Sequence, residues 1–267
     1  MLMLRSVLPF LMLAAVSCQA PQNAGALVVV GGGKTIPAIQ EAVFTLAGGS
    51  GARIVVLPQA SASERRGVGS VEMWAQHGPA DVQSLDPLDA PGVRVAIESA
   101  DLIWMPGGSQ SRLMEALQEA NLVDLIRARH RAGAVVGGTS AGAAVLSTHM
   151  IKGGDTADLE SVRKGGTELG QGLGLWTDAL IDQHFARRRR NNRLLSAVLD
   201  NPHLIGVGID ERTAVIFASG ELRIVGDATV HVYDARGASV DDTEPGEPLS
   251  AIGVILHLLR QGMRLKV

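Results

Sequence analysis

Ala134-Val-Val-Gly-Gly-Thr-Ser-Ala-Gly-Ala-Ala144 reads as an apolar strand that stops at paired glycines, turns through Ser140 and passes at once into a helix of small residues. The strand is Ala134–Gly137 and the turn is Gly138-Thr-Ser-Ala-Gly142. A serine hydroxyl that must stand clear of the backbone needs such a bend, and glycines on either side remove the Cβ atoms that would collide there. Free N–H groups at the start of the following helix face any negative charge that develops beside the hydroxyl.

Outward from this turn the chain repeats the same rhythm. Ala26–Val30 is an apolar run without alternation, as expected of a strand buried on both faces, and it runs into Gly31-Gly-Gly33. Helical spacing over 36–47 ends at Gly48-Gly49, and Arg53–Leu57 is a second buried strand closed by Pro58. A loop and helix follow over 61–76, then a short helix at Val93–Ser99. Asp101–Met105 is a third strand, ending in Pro106-Gly-Gly108, and helices follow over 110–120 and 122–131. This alternation predicts an α/β fold, a mostly parallel sheet flanked by helices. Past residue 150 the pattern changes to a strand at Ala179–Gln183, a basic helix at Ala186–Asp200 and short strands at Leu204–Ile209, Thr213–Ala218, Glu221–Val225 and Thr229–Tyr233. Gly220 marks a hairpin. Residues 239–250 read as a polar surface loop and Ile252–His257 as a last short strand.

The chain has 267 residues, 46% of them hydrophobic and 19% charged, with a net charge of −3 and one cysteine. A disulfide scaffold is excluded by the single Cys. Disorder is disfavoured by the ordinary apolar content, and a nucleic-acid partner by the lack of basic excess. The first residues carry one charge, Arg5, before an apolar run over 7–16 that is too short to span a bilayer. Ala15-Val-Ser-Cys18 resembles a lipobox. The expectation is a signal peptide over 1–18, a tether over 19–25 and a single α/β domain over 26–267. The protein would then be exported, as a lipoprotein of a bacterial envelope anchored to the membrane through acylated Cys18 or as a secreted protein.

A nucleophilic serine needs a base and an orienting acid. Of seven histidines, His184 stands out, in Asp182-Gln-His-Phe185 at the end of an apolar strand. Carboxyl ends of parallel strands are where such folds gather their sites. Asp210 and Glu211, after the strand at 204–209, are both candidates for the acid. Arg187 to Arg190 with Arg193 form the most unusual run in the chain, suited to bidentate recognition of carboxylates. Arg187, Arg190 and Arg193 share one helical spacing, so spacing does not choose among them.

Several of these segments, in this order, resemble the cyanophycinase family, serine peptidases that also include aspartyl dipeptidase: Leu27-Val-Val-Val-Gly-Gly-Gly33, Ala52-Arg-Ile-Val-Val-Leu-Pro58, Pro106-Gly-Gly-Ser-Gln110, Gly137-Gly-Thr-Ser-Ala-Gly-Ala143, Asp182-Gln-His-Phe185 with its arginines, and Gly206-Val-Gly-Ile-Asp-Glu211. The run from Asp182 to Arg193 is similar to the cyanophycinase branch rather than the dipeptidases. The resemblance implies a flavodoxin-like or class I glutamine amidotransferase-like fold, with Ser140 as nucleophile, His184 as base and Glu211 as acid. It implies an oxyanion hole from the amides of Ala141 and Gly108, and substrate contacts from Gln110, Asp182, Gln183, Arg188, Arg190 and Arg193. The implied substrate is cyanophycin, a poly-aspartate bearing one arginine on each side-chain carboxyl, cleaved to β-aspartyl-arginine. Aspartyl or isoaspartyl peptides are the alternative substrate, an α/β-hydrolase esterase and a non-catalytic peptide-binding lipoprotein the alternative functions. No metal or cofactor is expected, and a homodimer is compatible with the family. Ser109 stands where the family usually has Asp.

Overall fold

A computed structural model describes residues 24–152 and 160–267. The expected signal segment, Cys18 and most of the tether lie outside the described residues. In chain order the elements are β1 (Leu27–Val30), α1 (Pro37–Leu46), β2 (Arg53–Val56), α2 (Val68–Ala75), β3 (Asp81–Ser84), α3 (Val93–Ser99), β4 (Leu102–Met105), α4 (Gln110–Glu119), α5 (Val123–Arg131), β5 (Val135–Thr139) and α6 (Ala141–Ala144). There follow β6 (His149–Ile151), β7 (Leu169–Gln171), β8 (Ala179–Gln183), α7 (Asn191–Asp200), β9 (Ile205–Ile209), β10 (Thr213–Ala218), β11 (Glu221–Gly226), β12 (Val230–Asp234), β13 (Ser239–Val240), β14 (Ala251–Ile252), β15 (Ile255–Leu259) and β16 (Arg264–Lys266).

The main sheet has eight strands in the order β16-β11-β10-β1-β5-β4-β2-β3. From β1 to β3 every pairing is parallel, and β10, β11 and β16 extend the sheet antiparallel. A second sheet, β15-β12-β9-β8, stands beside it. This is the mostly parallel α/β architecture expected, with the extra strands in the C-terminal third.

The apolar runs follow from the layering. In β1, Leu27 and Val29 enter one core cluster while Val28 and Val30 enter the other, and β2 and β4 divide their side chains the same way. A strand alternates its side chains between faces, so burial on both requires an unbroken apolar run. The first cluster continues through Ile181, Val207 and Val232 of the second sheet, so one apolar mass joins the two sheets.

Four expectations are corrected. The helix expected over 186–200 begins only at Asn191; residues 185–189 form a turn in which Arg189 has φ 52°. The edge strand β3 and the hairpin β6–β7 are additional to those read from sequence. Residues 239–250 hold a strand, β13, at their start, which pairs with β14. The last expected strand lies at Ile255–Leu259 rather than Ile252–His257.

Candidate active site

β5 delivers Ser140 into the turn before α6, where its backbone adopts φ 54° and ψ −113°, a conformation that non-glycine residues rarely hold. The surroundings enforce it. The Ser140 amide donates to Val30 O (3.0 Å), and the Ser140 carbonyl accepts from the amides of Ala143 and Ala144 (3.0 Å each). Gly142 lies so close to the Met105 carbonyl that a Cβ there would overlap it. The loop after β4 runs alongside, and a Cβ built on Gly107 would stand 3.4 Å from Ser140 Cβ. Gly108, at φ 145°, is pressed against the Ala60 carbonyl. Neither the Gly108 nor the Ala141 amide has a backbone partner among the described residues.

His184 leaves β8 with φ 51°, its amide donating to Gly31 O (2.6 Å). That bend swings the imidazole over the glycines after β1. A Cβ on Gly32 would overlap the ring, and one on Gly33 would lie 3.1 Å from Glu211 Cβ. Gly31-Gly32-Gly33 is therefore the cradle of the base and acid. The sequence shows the glycines but not what they admit, because their neighbours come from β8 and β9.

The imidazole joins the two other groups. Its Nε2 lies 2.9 Å from Ser140 Oγ and its Nδ1 2.6 Å from Glu211 Oε1. Glu211 accepts from Nδ1–H, which leaves Nε2 as the acceptor for the serine hydroxyl. Burial lowers the His184 pKa; the Glu211 hydrogen bond pushes it back up, and the Arg188 charge lowers it again. The imidazole thus favours the neutral, proton-accepting form. Asp210, equally placed in sequence, accepts from the Arg187 amide (3.0 Å) and closes the turn after β8 instead.

Beneath this trio lies a buried charge cluster. Asp182 is 1% exposed and receives both Arg193 Nε (2.9 Å) and Arg193 Nη2. Arg190 Nη1 donates to Gln183 O (2.6 Å) and Gln183 Oε1 (3.1 Å), with Asp182 Oδ1 at 3.4 Å. Burial pushes the Asp182 carboxyl up against the lowering pull of Arg193 and Arg190, and lowers Arg190 to about 10. Arg190 remains charged at neutral pH. Asp182, expected as a substrate contact, is thus taken by the chain's own guanidinium groups. Arg193 Nη1 is buried without a partner, and Arg188 is exposed above the cluster. Gln110 opens α4 and donates to Ile151 O (3.1 Å), which ties that helix to β6. Ser109 caps α4 by accepting from the Arg112 amide (3.3 Å). A serine fills the capping role that an aspartate would fill. Among the described residues no group of three or more His, Cys, Asp or Glu is arranged to hold a metal ion.

The model of peptidase family S51 matches residues 27–225. A cyanophycinase from Geminocystis herdmanii is 36% identical over 82% of this chain and 84% of its own. A cyanophycinase from Trichormus variabilis is 33% identical over 97% of this chain and 92% of its own. The crystal structure of a peptidase from an acI-B1 Actinobacterium, 24% identical, shares the fold with a TM-score of 0.64 over 92% of this chain and 98% of that one. The chain is a serine peptidase and belongs to peptidase family S51, the cyanophycinase family.

Proposed function

We propose that this peptidase hydrolyses cyanophycin to β-aspartyl-arginine by acyl transfer through Ser140, His184 and Glu211. The observation that carries the reading is the unbroken chain of contacts from Ser140 Oγ to His184 Nε2 and from His184 Nδ1 to Glu211 Oε1. Ser140 Oγ attacks the scissile carbonyl as His184 Nε2 takes its proton. Glu211 holds the ring in the required tautomer and stabilises the imidazolium that forms. The oxyanion forms toward the amides of Gly108 and Ala141. His184 then gives its proton to the departing amine as the C–N bond breaks. Water, deprotonated by the same nitrogen, releases the acyl group and restores the Ser140 hydroxyl.

The choice of cyanophycin is supported by the names of the relatives and by the basic segment after His184. Arg188 is free to meet a substrate carboxylate. Arg190, Arg193, Asp182 and Gln183 form a floor in which Arg193 Nη1, buried without a partner, adds positive potential.

Incubation of the purified protein with insoluble cyanophycin should release a product of β-aspartyl-arginine mass. Ser140→Ala should lower the rate by on the order of 10⁴-fold or more while leaving the circular dichroism and melting curve unchanged. A wild-type protein inert on the polymer, or a fully active Ser140→Ala variant, defeats the proposal.

A further inference from the structure

The carboxyl edge of the parallel sheet continues past Ser140. Beyond Gly108, on the side of β2 and β3, it opens into a cavity of about 360 Å³. Gly108 rests on the Ala60 carbonyl, which also accepts from the Ser109 amide (2.8 Å) and from Arg112 Nη1 (3.0 Å). Gln59, one residue earlier, and Arg112 both line the cavity, so it shares a wall with the loop that flanks the serine.

The charges in this cavity are mixed. Arg66 and Asp86 consume one another through two bonds, Nε to Oδ2 at 2.6 Å and Nη2 to Oδ1 at 2.8 Å. The remaining Arg112 donors, Asp89 and Glu119 have no side-chain partner among the described residues. Arg112, Ala116 and Glu119 follow a four-then-three spacing on one face of α4, where the small Ala116 leaves the floor open. Gln59 is 5% exposed; its Nε2 donates to Leu85 O (2.7 Å), and its Oε1 is buried with no hydrogen-bond partner. A buried acceptor without a donor is costly, and it marks a place where a donor is missing.

One spare cation, two spare carboxylates and an unsatisfied amide oxygen do not suit a simple ion. They match a zwitterion of arginine size. When an arginine is joined through its α-amino group to a side-chain carboxyl, its α-carboxylate and its guanidinium are both left free. We infer that this cavity is a subsite for an arginyl unit on a backbone residue other than the one being cleaved. Arg112 receives the α-carboxylate, and Asp89, Glu119 and Gln59 Oε1 receive the guanidinium. Leu88 covers the methylenes between them. The inference rests on the proposed substrate and adds how the enzyme would grip a chain longer than its cleavage product.

The test uses the full protein and a small probe, Nα-acetyl-arginine, which carries both charges. Ligand-observed NMR should show saturable binding to wild type. Binding should weaken about tenfold in Asp89→Asn/Glu119→Gln, as expected when a charge-assisted pair is lost. N-acetyl-agmatine, which lacks only the carboxylate, should bind the wild type more weakly than the probe. On cyanophycin the double variant should lose about tenfold in kcat/KM by the same argument, with the change carried by KM. Probe binding that is absent from wild type, or equal in wild type and the folded double variant, overturns the subsite. A wild type inert on cyanophycin that still binds the probe through these carboxylates defeats the substrate reading and leaves the subsite standing.

Discussion

Two turns build this active site, and they are held by different physics. The turn carrying Ser140 is fixed by the absence of side chains: Gly142 lies against the Met105 carbonyl and Gly107 against Ser140 itself. The turn carrying His184 is fixed by charge: Arg190 and Arg193 fold back onto Asp182 and Gln183, and Asp210 ties down the Arg187 amide. The steric device clamps together the ends of β4 and β5, which are far apart in the chain, since Met105 and Gly107 meet Gly142 and Ser140. The ionic device closes a short reversal, since Asp182 and Arg193 meet where the chain turns back between β8 and α7. The first should therefore respond to added atoms and the second to lost partners.

The largest effect is expected at Arg193→Met. It leaves the buried Asp182 carboxylate facing no guanidinium but that of Arg190, at 3.4 Å, and breaking a buried pair in this way costs about 3–5 kcal/mol. Denaturant unfolding measures it. Adding Asp182→Leu should recover part of the loss, because two absent charges cost less than one stranded charge. A loss below about 1 kcal/mol, the range of an exposed ion pair, would show that the second turn is not held by charge.

Gly142→Ala probes the other turn. Its Cβ overlaps a backbone carbonyl, so β4 and α6 must move apart, at about 1–3 kcal/mol or somewhat more. Activity should fall further than stability, because the same shift moves Ser140 away from Gly107 and Gly108. Gly51→Ala, where a Cβ meets nothing within 4 Å, is the control and should change neither. Thermal melts and turnover of the two variants sharpen the contrast; equal behaviour would remove it.

The same division explains what the sequence made legible. The parallel strands are legible because burial on both faces leaves an apolar run, and the Ser140 turn because Gly137, Gly138 and Gly142 flank the serine within a few residues. β3 was missed because it is an edge strand: Asp81-Val-Gln-Ser84 is half exposed and has no run to read. The helix expected over 186–200 is too long because arginine has good helical propensity, whereas here Arg190 and Arg193 are pulled inward and the backbone bends at Arg189. Asp210 and Glu211 were indistinguishable as neighbours; only the packing of β9 against β8 turns one to the imidazole and the other to the Arg187 amide. The cavity beside Gln59 leaves no trace in the sequence, because its walls come from the loop after β2, the loop after β3 and one face of α4.

The smallest effect joins the two turns through the pH profile. A general base must be neutral to accept the Ser140 proton, and the folded environment lowers the His184 pKa, chiefly by burial. The acidic limb of kcat/KM should therefore fall below the ordinary imidazole value of about 6.5, and activity should persist as pH drops through that value. The Arg188 charge contributes to the lowering. Its removal in Arg188→Ala makes the imidazolium less unfavourable, so the limb should move to higher pH whatever happens to KM. Arg188 is exposed, so its field is screened and the displacement should shrink as salt is raised from low to physiological strength. A limb that stays put at low salt, or moves toward acid, would mean that the arginine segment acts on the substrate alone and not on the base.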